Sequence, residues 1–270
     1  MTIPTGRRRR PAFAAGLATL AMALGFTAIP ADAAPPPPLD YVALGDSYAA
    51  GHGAAPYTDP NCFVSRKGYP AIADKLRDVE LTLNAGCSGW TIDLVKANLP
   101  VSALQDAEVI TLTIGANDLN TTSLLFACLP DPSSAACFEA AGNVTTMLTD
   151  GSFAAELADL VFTIQAIAPD AKIVLTGYPH LFDPSHPFAA VANPLADLLN
   201  FTIAGVAAAT GSQYVDVTAA FAGHGVGSTD PWINFNPDNL LDPANFHPTG
   251  EGYRHGYFAS LFSQGAFVLN

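Results

Sequence analysis

The chain has 270 residues, of which 50% are hydrophobic and only 13% are charged, a composition typical of a folded globular protein rather than a disordered one. Eleven lysines and arginines stand against 24 aspartates and glutamates, which gives a formal net charge of −13 at pH 7. So acidic a chain has no electrostatic attraction for nucleic acid or for anionic lipid head groups, and these two classes of partner are excluded first.

Residues 1–33 have the organisation of a secretory signal peptide. Four arginines at 7–10 precede an almost wholly apolar run over residues 11–28, and Ala31-Asp32-Ala33 offers a small-x-small cleavage site. An N-terminal membrane anchor and export by a twin-arginine route stay open as alternatives. We expect a secreted protein with no stable membrane insertion after cleavage. Loss of four arginines and one aspartate takes its net charge from −13 to −16.

Short β-prone runs alternate with helical patterns through a domain predicted over residues 40–270, which follows a proline-rich spacer at 34–39. Strands are predicted at 41–44, 80–83, 108–114, 172–175 and 213–217. Helices are predicted at 70–77, 92–99, 153–168, 189–209 and 250–262. Short apolar strands separated by helices indicate a parallel sheet covered on both faces, and no linker or repeat divides the region. The predicted fold is therefore a single α/β domain with a parallel sheet of about five strands.

Ligands of such sheets bind beyond the carboxyl ends of the strands, so we looked for chemistry in the loops that follow them. Ser47 lies between glycines directly after the first strand, where a hydroxyl group has backbone N–H donors nearby but needs a base to become a nucleophile. His247, just before the last predicted helix, is the candidate base. Gly89 and Asn117 follow the second and third strands and offer a backbone N–H and a side-chain amide to a developing oxyanion. Together these four residues predict an acyl-transfer site.

In the same order along the chain, these blocks resemble those of the GDSL-type lipases and esterases, or SGNH hydrolases. The segment GDSY at 45–48 resembles the family's GDSL block, with Tyr48 in place of leucine, and GAND at 115–118 resembles its asparagine block. The resemblance runs from about residue 41 to 253. It implies a three-layer α/β/α sandwich, Ser47 as nucleophile, His247 as base, an oxyanion hole of Ser47, Gly89 and Asn117, and neither a metal nor an organic cofactor.

The expected activity is that of a secreted serine ester hydrolase acting on small-molecule or lipid-like acyl esters. A phospholipase A or an acyltransferase using the same residues stays open, and so does a catalytically silent surface-binding module that keeps the fold. The sequence does not indicate an oligomeric state.

The sequence departs from the family pattern beside the histidine. Many members carry an aspartate three residues before it, and that position here is Ala244. Asp242 lies five residues upstream of His247, with a proline between them. The chain instead resembles the secreted actinobacterial branch of the family, in which a main-chain carbonyl replaces the carboxylate. We therefore expect the carbonyl of Ala244 or Asn245 to accept the Nδ1–H bond of His247.

Four cysteines in an exported chain indicate two disulfides, and the residues alone leave all three pairings open. No C-x-x-C pair is present, which argues against a zinc site. The resemblance to the actinobacterial lipases implies the pairs Cys62–Cys87 and Cys128–Cys137.

Overall fold

A computed structural model of the chain describes residues 36–269, so the predicted signal peptide lies outside the described residues. The central sheet consists of five parallel strands in the order β4-β1-β5-β6-β7. The strands are β1 (Leu39–Gly45), β4 (Val79–Gly86), β5 (Val109–Thr113), β6 (Lys172–Thr176) and β7 (Gln213–Val215). Strands β2 (Tyr57–Asp59) and β3 (Val64–Ser65) form a separate antiparallel hairpin. The predicted parallel sheet of five strands is confirmed, and β1 already begins at the last residue of the predicted spacer.

Helices flank this sheet. They are α1 (Ser47–Ala50), α2 (Tyr69–Ala73), α3 (Ile92–Ala97), α4 (Val101–Asp106), α5 (Thr121–Cys128), α6 (Ala135–Thr149), α7 (Ser152–Ile167), α8 (Ala189–Thr210) and α9 (Ala259–Ser263). A 3₁₀ turn spans Thr218–Phe221. Helices α7 and α8 correspond to the two long predicted helices, whereas α4, α5 and α6 lie where no helix was predicted.

Both faces of the sheet are buried, as strand β1 shows. Its alternate residues point to opposite faces. Val42 and Leu44 belong to the larger hydrophobic cluster, while Tyr41 and Ala43 belong to a smaller one. Strand β5 is buried at all five positions, which explains why its sequence, VITLT, has no charged residue and four β-branched ones.

Helix α8 is the one helix of residues 36–269 that is long and apolar enough, by length and composition alone, to cross a membrane. It packs against α7, and three of its buried side chains are polar: Asn193, Asn200 and Thr210. Asn193 donates to the carbonyl of Phe182 at 3.0 Å, and Asn200 exchanges two 2.8 Å hydrogen bonds with the backbone of Tyr178. The helix therefore fixes the segment that follows β6.

The predicted last helix is present, but most of it is wound as a π-helix over Gly252–Phe258, which continues into α9. A Cβ on Gly256 would lie 2.0 Å from a ring carbon of Phe221, so only glycine permits this approach. The side chains of Tyr253 and Tyr257 are fully buried, and their hydroxyls donate to the main-chain carbonyls of His52, after α1, and of Gly177, after β6. Sequence periodicity does not distinguish this winding from an α-helix.

Candidate active site

An apolar cavity of about 170 Å³ lies where the chain leaves β1, β5 and β6. Its wall is mostly aliphatic and comes from the segment after β5, from α5 and α6, and from α8, including Leu119, Leu124, Leu125, Val144, Leu195 and Leu199. Ser47, Asn117 and His247 line the same cavity. Gly89 is not among its lining residues. The structure thus brings three of the four predicted site residues to one apolar space.

The turn before Ser47 has little conformational choice. Gly45 has a φ of +134°, and a Cβ there would lie 2.0 Å from the carbonyl oxygen of Thr113 on the neighbouring strand. The Asp46 side chain then caps helix α1 by accepting the N–H of Tyr48 at 2.9 Å. As a result Ser47 is the first helical residue, and within residues 36–269 its own N–H has no acceptor.

Asp46 is buried, and this burial raises the pKa of its carboxyl to about 7. Hydrogen bonds donated by the Tyr178 hydroxyl and by the backbone of Tyr48 partly offset the effect of burial. Both carboxylate oxygens are therefore used to hold the turn, which agrees with a structural role for this residue.

Gly89 lies in a tight turn that is joined to the turn before Ser47. The N–H of Cys87 donates to the carbonyl of Gly45 at 3.0 Å, and the N–H of Trp90 closes the turn onto Cys87 at 3.1 Å. Gly89 itself has a φ of +82°, which favours glycine. Its N–H meets no acceptor in the part of the chain that the structure describes, so this group is available to a ligand.

Asn117 and Asp118 connect the loop after β5 to the loop after β4. The Asn117 amide donates to the carbonyl of Trp90 at 2.8 Å, which uses one of its two N–H groups. Asp118 accepts the N–H of Ile92 at 3.0 Å, and burial raises its pKa to about 6. The remaining amide N–H of Asn117 has no acceptor among the described residues, so it can donate to a ligand.

The ring of His247 is oriented by a main-chain carbonyl. Its Nδ1 atom lies 2.9 Å from the carbonyl oxygen of Asn245, which can only accept, so the proton must be on Nδ1 and the lone pair on Nε2. Asp242 instead accepts the N–H of Ala244 at 2.9 Å. Burial lowers the pKa of His247, the nearby His52 lowers it as well, and hydrogen bonds to the backbone partly offset both effects, so that the pKa is about 3. Of the two carbonyls expected from the sequence, that of Asn245 is the one bonded to the ring.

Contacts that the sequence did not predict hold the loop of His247. The Tyr48 hydroxyl donates to the carbonyl of Phe246, a non-glycine residue with a φ of +64°. The Asn234 amide donates to the carbonyls of His247 at 2.9 Å and of Gly53 at 3.1 Å. These partners are far apart along the chain, and only the tyrosine in the GDSY block stood out in the sequence.

Cys62 is bonded to Cys87 and Cys128 to Cys137, the pairs that the resemblance implied. The first disulfide joins the β2–β3 hairpin region to the turn that carries Gly89. In the described part of the chain no group of three or more histidine, cysteine, aspartate or glutamate side chains is arranged to hold a metal ion.

Comparisons with known proteins identify the family of this chain. The model of the GDSL-like Lipase/Acylhydrolase family matches residues 43–255. A lipase of Streptomyces rimosus is 32% identical over 235 residues, which cover 83% of this chain and 86% of the relative. Lipase 1 of Streptomyces coelicolor is 30% identical over 260 residues, covering 91% and 95%.

Solved structures give the same result. The crystal structure of an extracellular lipase from Streptomyces rimosus has a TM-score of 0.76 at 30% identity and covers 83% of this chain and 99% of that one. Phospholipase A1 from Streptomyces albidoflavus has a TM-score of 0.75 at 29% identity, covering 84% and 99%. With the sheet, the cavity and the ordered sequence blocks, these matches establish that the chain belongs to the GDSL-like lipase/acylhydrolase family and is a carboxylic ester hydrolase.

Proposed function

We propose that this hydrolase is exported and cleaves lipid-like acyl esters through an acyl-enzyme intermediate on Ser47. The observation that carries the proposal is the meeting of Ser47, Asn117 and His247 at a cavity whose other walls are mostly aliphatic. A hydrocarbon chain would fill such a cavity, while its ester carbonyl would remain at the polar end.

In the first step the Ser47 hydroxyl attacks the ester carbonyl while Nε2 of His247 takes its proton. The bond from Nδ1 to the carbonyl of Asn245 keeps the lone pair on Nε2, and this carbonyl dipole then faces the imidazolium that forms. The low pKa of His247 keeps the ring neutral before the attack.

The tetrahedral intermediate carries a negative charge on the former carbonyl oxygen. Three donors are proposed to bind it: the N–H of Ser47, the N–H of Gly89 and the second amide N–H of Asn117. The first two lack acceptors within residues 36–269, and hydrogen bonds between the three loops hold the donors in place beforehand. Because the donors need not reorganise, they favour the transition state over the ground state.

His247 next gives its proton to the leaving alcohol, and the acyl group stays on Ser47. Water, deprotonated by His247, attacks the acyl-enzyme, and the same donors bind the second oxyanion. The bond between Oγ of Ser47 and the acyl carbon then breaks, His247 returns the proton to Oγ, and the carboxylic acid leaves. The residues supply nucleophile, base and oxyanion donors, so this scheme includes no cofactor.

Hydrolysis of p-nitrophenyl esters from acetate to palmitate, by the mature protein and by Ser47→Ala in parallel, tests the proposal. We expect turnover that is lost in the variant and a preference for longer acyl chains. Equal activity of both proteins would exclude Ser47 as nucleophile. Inertness of both on every ester would instead favour a silent surface-binding module.

A phospholipid substrate is the second candidate, because one relative of similar structure is a phospholipase A1. Fatty acid release from triacylglycerol and from phosphatidylcholine in matched mixed micelles separates the two activities. An acyltransferase would instead pass the acyl group to an added alcohol in preference to water, which ester formation in the same assay would reveal.

Export is proposed from the N-terminal sequence and agrees with the two disulfides. Expression of the full chain in an actinobacterial host, followed by N-terminal sequencing of the protein in the medium, tests it. We expect a mature chain that begins at Ala34. A cell-bound protein that keeps its first residues would support the membrane anchor.

A further inference from the structure

His52 is a buried histidine, 3% exposed, that the mechanism above does not use. Its ring lies between two others in a stack. The ring centroid of Phe63 is 4.0 Å away on one side with an interplanar angle of 15°, and that of His247 is 4.0 Å away with an angle of 29°. His52 is therefore in face-to-face contact with the proposed general base.

The backbone of His52 is attached to the nucleophile turn and to the π-helix. Its N–H donates to the carbonyl of Ser47 at 2.9 Å, and its carbonyl accepts the Tyr253 hydroxyl at 2.7 Å. The next residue, Gly53, packs so closely that a Cβ there would lie 2.8 Å from Cβ of His247. The position of the His52 ring is thus fixed relative to both Ser47 and His247.

The polar atoms of the His52 ring point to a second connection. Nδ1 lies 3.0 Å from the hydroxyl of Ser88, the residue directly before Gly89. Nε2 is buried with no hydrogen-bond partner among residues 36–269. An unpartnered buried nitrogen costs stability, and leucine or phenylalanine would fill a purely structural position without that cost. The hydrogen bond to Ser88 and the stack on His247 are what a histidine provides here.

We propose that His52 is a positioning residue that holds the His247 imidazole by stacking and, through Ser88, ties it to the oxyanion turn at Gly89. The inference rests on the proposed roles of Ser47 and His247. His52 sets the orientation of the base and the position of one oxyanion donor relative to each other, so that both are correct for the same bound ester.

The stack has a further effect during the reaction. Burial lowers the pKa of His52 to about 4, so its ring is neutral near pH 7. When His247 takes the proton from Ser47, the imidazolium lies 4.0 Å from a neutral aromatic face, well within the range of a cation–π contact. The cation–π attraction arises only after His247 has taken the proton, so its loss reduces kcat rather than ester binding.

Three variants separate the contribution of the aromatic ring of His52 from that of its hydrogen bond to Ser88. His52→Phe keeps a flat ring between Phe63 and His247 but loses the bond to Ser88. Ser88→Ala loses the same bond from the other side. His52→Leu loses both the bond and the aromatic face. A matched control is His224→Phe, because His224 also stacks on an aromatic ring, that of Trp232, at 3.5 Å, but does not line the cavity.

The assay is kcat and KM on one p-nitrophenyl ester, with thermal unfolding of every variant. We expect His52→Leu to lose about 100-fold in kcat, the size of loss that a 1 Å misplacement causes. His52→Phe and Ser88→Ala should each lose about tenfold, as for one hydrogen bond, and their double variant should lose no more than either. KM should stay within about twofold, because His52 does not line the cavity. His224→Phe should retain the kcat of the unmodified enzyme.

Unchanged kcat in His52→Phe and Ser88→Ala, or equal losses in His52→Leu and His52→Phe, would overturn the inference. So would losses that appear in KM alone. If His52→Leu does not fold, the phenylalanine and Ser88 variants still decide the question. Ser47→Ala in the same assay distinguishes the two proposals. Activity that is retained in Ser47→Ala rejects the proposed mechanism. Activity that depends on Ser47 but is unchanged in the His52 variants rejects only this inference.

Discussion

Nδ1 of His247 lies 2.9 Å from the carbonyl oxygen of Asn245, a residue only two positions earlier in the chain. This short loop is possible because Phe246, between them, has a φ of +64°. A carbonyl carries no full charge, so it fixes the tautomer of the histidine but stabilises the imidazolium less than a carboxylate would. The orientation of the proposed base is therefore built into the local backbone.

Asp242→Asn should leave kcat within about threefold of the unmodified enzyme, because its side-chain oxygen can still accept the N–H of Ala244. Removal of a true triad acid typically costs about four orders of magnitude. Ester hydrolysis at pH 7 measures the difference. A thousandfold loss would mean that Asp242 reaches the histidine during catalysis.

Asn117→Ala should lower kcat by roughly 100-fold or more, the usual effect of removing one oxyanion donor. The carbonyl of Trp90 also loses its partner, so thermal unfolding should be measured alongside. Asn98→Ala is the control, since within residues 36–269 the Asn98 amide donates only to the carbonyl of Leu94 in α3. Full activity of Asn117→Ala would remove this residue from the oxyanion hole.

The rate of ester hydrolysis should persist at acidic pH. A histidine base works when neutral, and a pKa lowered to about 3 keeps it neutral far below the ordinary value of about 6.5. We expect kcat/KM at pH 5 to be within about twofold of that at pH 7, whereas a base with an ordinary pKa would be about 3% neutral there. A steep fall centred near pH 6.5 in protein that is still folded would contradict this.

The lowered pKa of His247 also predicts that the folded protein loses stability in acid. The unfolded chain takes up a proton on this histidine below about pH 6.5, while the folded protein does so only near pH 3. Protonation of this histidine in the unfolded chain therefore lowers the free energy of unfolding progressively as the pH falls from about 6.5 to about 3. His247→Phe should unfold with a weaker dependence on pH between 6.5 and 4 in thermal melts, and an unchanged dependence would speak against the lowered pKa.

Tyr48→Phe should reduce both stability and turnover. The change leaves the carbonyl of Phe246 without its donor, which costs about 1–3 kcal/mol of unfolding free energy and loosens the loop of His247. Tyr41→Phe is the matched control: it loses a buried hydroxyl contact to Thr111 at 2.7 Å on the strands, away from the cavity. We expect both variants to unfold more easily and only the Tyr48 variant to lose kcat; equal kcat in both would separate Tyr48 from the site.

The two disulfides should differ in their effect on catalysis. The chain-entropy model gives about 3.5 kcal/mol for the Cys62–Cys87 loop, with a sequence separation of 25, and about 2.5 kcal/mol for Cys128–Cys137, with a separation of 9. Replacing either pair with alanine should lower the unfolding temperature. Only loss of the first pair should lower kcat, because it adjoins the turn of Gly89, and a greater kcat loss in the second would refute this.

All five strands of the sheet could be predicted because their apolar, β-branched runs are short and bounded by turn residues. Helices α5 and α6 could not. In α5 the apolar residues are spread around the helix, so that Leu124 is buried while Phe126 on the same helix is exposed. In α6 only Cys137, Val144 and Leu148 are buried, a stripe too sparse to stand out among its alanines and threonines.

The site was predictable where it depends on topology. Parallel strands end at one edge, so the loops after β1 and β5 had to meet, and with them Ser47 and Asn117. Contacts such as Tyr48 with Phe246 or His52 with His247 join residues about 200 positions apart through packing. No periodicity or motif in a single sequence encodes such pairs.

The π-helix at Gly252–Phe258 sets the orientation of helix α9, which follows it directly. Its wide turns hold an extra residue relative to an α-helix, so the same residues wound as an α-helix would rotate everything beyond them by roughly 100°. Tyr257 would then leave the interior, and Gly256 would no longer face Phe221. Related chains that have one residue fewer in this segment should therefore wind it as an α-helix and keep the same side chains buried.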